Sequence, residues 1–165
     1  MSTTAKNTFK LPFPPDVVLA ALTDLEFLVA NFKQQDNPEA RAVERSRTAD
    51  ELLIDCEVTE YAKGISGVDR SKTEVTQTAY RWDLKARRGE WTYKNPSTTG
   101  KMAKVWGSSQ LKPDGAGTAL MEEFNVNVKV PLMGGKIERI VIKEVEKYWP
   151  AFEKLLRKWC DKHSK

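Results

Sequence analysis

Two carboxylates stand where the pattern calls for apolar side chains. Glu122 falls on the apolar face of a period-two stretch, between Leu120 and Phe124. Glu144 falls in an apolar stripe of helical spacing, among Ile140, Val141, Val145 and Tyr148. A carboxylate buried without a partner is costly, so such a group finds a hydrogen-bonding partner or keeps its proton. Inside an apolar cavity either residue would orient the polar head of a ligand. It could also work as a general base. Arg81 and the hydroxyls of Tyr80 and Tyr148 are the partners that the pattern offers. A plainer reading stays open: a rotated helix or a bulged strand would carry both carboxylates to solvent.

Other chemistry finds little support in the residue types. The chain has no GxxxxGK[ST], HExxH or GxSxG. Gly134-Gly135-Lys136 resembles the end of a phosphate loop, but the earlier glycine is missing. The two glycines read instead as the break between a strand and a helix. His163 is the one histidine and lies on a polar tail. With Cys56 and Cys160 it cannot complete a zinc ligand set, and no metal or other cofactor is expected. The two cysteines read as buried or half-buried thiols of a cytoplasmic protein rather than as a disulfide.

The aromatic residues suit a guest with a planar or lipid-like body. Tyr80, Trp82 and Trp91 come from neighbouring predicted strands, and Trp106 joins them if its strand faces inward. Phe124 lies on the last strand, and Tyr148 and Phe152 on the last helix. Filling a core is the alternative use of the same side chains.

Elements that would position these residues follow from periodicity. Residues 1–6 read as a frayed end and residues 7–11 as a short strand. Pro15 and Asp16 open a helix that ends at Leu22, and Thr23-Asp24 caps a second over residues 25–32. Strands are predicted over residues 40–47, 52–58, 72–86, 90–94, 102–111 and 120–130. Residues 61–69 and 95–100 read as loops, and Lys112-Pro113-Asp114-Gly115 as a turn. From Ile137 the stripe Val141, Val145, Tyr148, Phe152, Leu155, Leu156 and Trp159 makes one long amphipathic helix. Pro150 lies inside it and removes the bond to the Glu146 carbonyl, which predicts a kink that follows a curved sheet. Short links between strands imply an antiparallel meander. The fold class is therefore α+β, in the order β-α-α-β6-α, with about seven strands against the long helix.

This order resembles the helix-grip fold of the START/SRPBCC superfamily, which includes polyketide cyclase-like proteins. FKLPFPPDVVLAALTD (residues 9–24) is similar to the segment that opens many such domains. VPLMGGKIERIV (residues 130–141) looks like the strand-to-helix junction of an uncharacterised bacterial START-like family. The resemblance covers nearly the whole chain as one domain. It implies a curved sheet gripping the helix around a cavity, and binding of a hydrophobic small molecule or lipid. Some branches are cyclases or aromatases, and others are interaction proteins. On this reading the cavity is lined by Tyr80, Trp82, Trp91, Trp106, Glu122, Phe124, Ile137, Val141, Glu144 and Tyr148. Phe27, Phe32 and Met133 flank its mouth. An interaction module with a solid interior is the second reading, and a cyclase-type enzyme is the third.

Composition narrows the classes further. The 165 residues are 40% hydrophobic and 30% charged, which fits one globular domain rather than a disordered chain. No apolar run approaches the ~20 residues that span a bilayer. MSTTAKNTFK lacks a signal-peptide core, so a cytoplasmic protein is expected. Net charge is +4, but acidic residues interrupt most basic segments, which favours a solvated surface over a nucleic-acid site. Transient contact with a membrane surface is compatible with that charge.

Overall fold

Period-two patterning along the chain is expressed as one antiparallel sheet. The computed structural model describes residues 2–64, 67–97 and 100–165. The strands are β1 (Thr3–Leu11), β2 (Glu39–Arg47), β3 (Glu51–Gly64), β4 (Gly67–Asp83), β5 (Arg88–Lys94), β6 (Ala103–Asp114) and β7 (Gly117–Val128). They form a seven-stranded sheet in the order β1-β7-β6-β5-β4-β3-β2. The first strand thus lies beside the last, and the two short helices carry the chain from one sheet edge to the other.

Several boundaries differ from expectation: β4 ends at Asp83, β6 takes in Lys112, Pro113 and Asp114 of the expected turn, and β7 runs from Gly117 to Val128. Residues 3–6 do not fray: they extend β1 and pair with β7, Thr3 opposite Val126 and Lys6 opposite Glu123. Their alternation continues that of Phe9 and Leu11, so β7 supplies a full ladder. The expected loop over residues 61–69 is mostly strand. β3 runs to Gly64 and β4 starts at Gly67, with a register shift after Tyr61. Gly67 holds φ at 115°, where only glycine is at ease, and it pairs with Gly64, so the strands close in on the expected loop from both sides. Positions 65 and 66 of that loop, and 98 and 99 of the next, lie outside the described residues.

The helices are α1 (Pro15–Leu22), α2 (Leu25–Lys33) and α3 (Gly134–His163). Pro15 opens α1 in its first turn. Asp24 caps α2 by accepting from the Glu26 N–H at 2.8 Å. The 30 residues of α3 form one α-helix that continues through Pro150. Its first turn sits against the end of β7. A Cβ on Gly134 would lie 2.3 Å from the Val128 carbonyl oxygen, so only glycine permits the approach. Glu138 then accepts from Thr3 Oγ1 at 2.6 Å and from the Val128 N–H at 2.8 Å. One carboxylate thereby ties α3 to both β1 and β7.

Packing is uneven along α3. The fully packed core gathers at its C-terminal half, where Leu156 and Cys160 meet Phe9, Leu11, Val18, Leu22, Phe27, Leu52 and Leu120. Cys56 and Cys160 are free and buried there. The helix lies closest to β1, β7, α1 and α2. Along its N-terminal half the helix buries Gly134 and Glu138, while Ile137, Val141 and Val145 keep accessible surface.

Candidate functional site

The inner face of the sheet is polar at one level. Residues directly opposite each other in an antiparallel pair point to the same face. Asn7 of β1 is opposite Glu122 of β7, and Glu122 is opposite Ser109 of β6. Three polar side chains thus form one rung across three strands. The rungs on either side are apolar: Ala5 with Phe124, and Phe9 with Leu120 and Leu111. Ser109 Oγ donates to Glu122 Oε1 at 2.7 Å. Among the described residues that is the one side-chain hydrogen bond of Glu122, and the Asn7 side chain and the Tyr80 hydroxyl have none.

Aromatic rings lie next to the rung. Trp91 lies over Gly107 of the neighbouring strand, where a Cβ would come within 2.5 Å of the indole. Phe124 flanks it, with ring centroids 5.6 Å apart. Tyr80 is paired with Trp91 on the other side. On α3, Val145 shares the helix face of buried Glu138 and Leu156, yet Val145 and its neighbour Val141 are only half-buried. Trp91, Phe124, Tyr80 and Glu122 are likewise half-buried although they point inward. Inward-facing side chains that keep accessible surface are not closed into a packed core.

Electrostatics follow from that placement. Burial pushes Glu122 up to about 8, and the Ser109 hydrogen bond only moderates the rise. The rise favours the protonated carboxyl, which can donate as well as accept. Burial also raises the Tyr80 hydroxyl well above its ordinary value, with the nearby Cys56, Glu122 and Tyr148 adding to it. Cys56 is pushed up to about 12 by burial and by Asp55, so it stays a thiol. Glu138 behaves in the opposite way: hydrogen bonds from Thr3 and Val128 hold it below the usual carboxylate value.

The predicted lining residues divide. Tyr80, Trp91, Glu122, Phe124, Ile137, Val141 and Tyr148 come from β4, β5, β7 and α3, and all are half-buried. Tyr148 also bridges to α2, where its hydroxyl meets Asn31 and accepts from Gln34 Nε2 at 2.6 Å. Trp82 faces inward but is core: its indole covers Gly89 and is buried. Phe32 packs against that core from α2. Met133 lies exposed at the β7–α3 junction.

Three expectations need correction. Trp106 faces outward, because Gly107, Ser109 and Leu111 take the inward positions of β6. It is opposite Asn125 and Thr92, with the Lys104 ammonium 5.0 Å from its ring centroid. Glu144 is exposed and pairs with Lys147 at 3.3 Å, since the helix buries the Glu138–Val145–Leu156 line and turns Glu144 away. Phe27 is not at a mouth: it is buried against Phe152 and Trp159. Asn7 and Ser109 had escaped notice. Their signal was parity, since Asn7 alternates in step with Phe9 and Leu11, and Ser109 with Leu111.

Other features lie elsewhere. A depression of ≈ 540 Å³ on the outer sheet face is lined by ion-paired Glu51, Arg81 and Lys85 with their neighbours. Another of ≈ 470 Å³ lies between α2 and β2. Both are surface grooves away from the Glu122 rung. His163 joins Asp24 at 2.8 Å and pins the end of α3 to the α2 cap. Among the described residues no cluster of three metal-ligating side chains is present, and no helix is long and apolar enough to cross a membrane.

An antiparallel sheet wrapped on a long C-terminal helix is the helix-grip α+β fold. Solved structures share this architecture across the chain. The aromatase/cyclase ZhuI from Streptomyces sp. R1128 is 12% identical with a TM-score of 0.63, covering 100% of this chain and 97% of its own. TTHA0849 from Thermus thermophilus is 19% identical with a TM-score of 0.62, covering 100% of both chains. A START superfamily protein from Mycobacterium smegmatis is 16% identical with a TM-score of 0.57, covering 96% of this chain and 97% of its own. At these identities the likeness establishes the fold alone. Residues 6–160 match a family described as "Protein of unknown function (DUF2505)", and the chain belongs to it. No curated protein matches the sequence.

Proposed function

We propose that this protein binds a hydrophobic small molecule or lipid between the N-terminal half of α3 and strands β4–β7. The observation that carries the reading is the Asn7–Glu122–Ser109 rung, set among half-buried apolar walls. Apolar burial would supply most of the affinity. Protonated Glu122 would donate to a carbonyl or hydroxyl oxygen of the ligand, while Asn7 and Tyr80 offer further polar contacts. START and aromatase/cyclase neighbours of the same fold support a binding fold of this kind. The test is titration with an apolar fluorescent probe such as anilinonaphthalene sulfonate. Val145→Trp, which fills the space, abolishes binding if the reading holds. Equal binding by the variant would place the probe elsewhere and refute it.

One observation favours the cyclase-type enzyme as well: a carboxyl pushed up to about 8 near the Tyr80 hydroxyl is poised for proton transfer near neutral pH. A ligand recovered chemically unchanged after prolonged incubation argues for binding alone. Turnover that Glu122→Gln removes, with affinity retained, argues for the enzyme.

A further inference from the structure

The junction between β7 and α3 projects apolar side chains into solvent. Leu132 is fully exposed, and Met133 beside it is exposed as well. Leu132 also holds φ at 65°, in the left-handed region that bulky side chains rarely adopt. Met102 is exposed on the adjoining turn, where its carbonyl accepts from the Lys129 N–H at 2.7 Å. Lys101, Lys129 and Lys136 flank this tip, all exposed, and none enters an ion pair among the described residues. The nearest carboxylates in the chain are engaged elsewhere: Glu138 turns inward to Thr3 and Val128, and Glu123 faces Lys6. Cations that look scattered in the sequence thus gather around one apolar point. Such a point has an energetic reason to enter a lipid interface, and the surrounding cations have one to meet anionic headgroups.

We infer that the tip formed by Leu132, Met133 and Met102 docks on an anionic membrane surface, with Lys101, Lys129 and Lys136 contacting its headgroups. A bilayer fits better than a nucleic acid because exposed Leu132 and Met133 stand between Lys129 and Lys136 in the chain. Nothing in the inference depends on a ligand inside the fold, so it stands or falls apart from the binding function.

The test is sedimentation with vesicles of phosphatidylcholine, with and without phosphatidylglycerol. The full chain is expected to bind only the anionic vesicles and to release as salt rises. Leu132→Asn separates docking from folding, since asparagine tolerates the left-handed region better than leucine. It should leave the melting temperature unchanged or higher while weakening vesicle binding by roughly tenfold. Lys129→Gln with Lys136→Gln should weaken it by about twentyfold or more. No binding to anionic vesicles at low salt would overturn the inference. So would a Leu132→Asn variant that binds them like the parent, or duplex DNA that binds more tightly than the vesicles.

Discussion

Ser109 and Glu122 stand directly opposite each other across the β6–β7 pair, joined by a 2.7 Å hydrogen bond inside the fold. One hydroxyl does not offset the loss of water around a carboxylate, so the protonated form of Glu122 is favoured. A core that needed only stability would place an apolar residue there. The pair is therefore the clearest departure of this interior from plain packing.

The departure has a pH signature. Folding lifts Glu122 from its ordinary 4.5 to about 8, so between these values the folded chain holds one proton more than the unfolded. Stability should then fall as pH rises through this window, by up to about 1.4 kcal/mol per pH unit, and level off above it. Glu122→Gln should remove that contribution and be the more stable form at high pH by a few kcal/mol, on the order set by the same linkage. Denaturant unfolding of both proteins across the window measures it, and parallel curves would contradict it.

Ser109→Ala removes the hydrogen bond that lowers the Glu122 pKa. The carboxyl should then titrate above about 8, which carboxyl-carbon NMR detects. Stability should drop by about 1 kcal/mol, and by more where Glu122 is ionised.

Gly107→Ala would drive a Cβ to 2.4 Å from the Glu123 carbonyl oxygen and 2.5 Å from the Trp91 ring. Neither neighbour has room, so the expected cost is about 1–3 kcal/mol, accompanied by weaker probe binding as Trp91 shifts. Denaturation and probe titration on the same sample check both parts.

Glu138→Gln should loosen the clamp on the first turn of α3. Because hydrogen bonds hold the Glu138 carboxyl below its usual value, the clamp is present above 4.5 and weakens as pH falls through the lowered pKa. Hydrogen exchange at the Val128 N–H should speed up in the variant at neutral pH, and in the parent only on acidification.

Much of this arrangement is readable from the sequence because the sheet is two-sided. The alternation of Leu120, Phe124 and Val126 put Glu122 on the apolar face, though a bulge could still have turned it to solvent, and the stripe from Val141 to Trp159 set the face of α3. Trp106 was not legible: with Gly107 and Ser109 beside it, apolar weight gave no parity, and the partner glycine under Trp91 decided the facing. Glu144 was misplaced because Ile140 looked like part of the stripe. In the fold Ile140 is exposed, and the buried line runs through Glu138. Glu138 escaped notice for the converse reason, since its partners Thr3 and Val128 are distant in sequence or lie across the junction. The continuity of α3 through Pro150 was legible from the unchanged apolar phase on both sides.

Native mass spectrometry of the protein purified from its own host tests the central claim most directly. The expected result is a mass above that of the bare chain, lost on denaturation with release of an apolar molecule bearing an oxygen function, and absent from Val145→Trp. A parent protein at the bare-chain mass that also fails to take up apolar probes would contradict it.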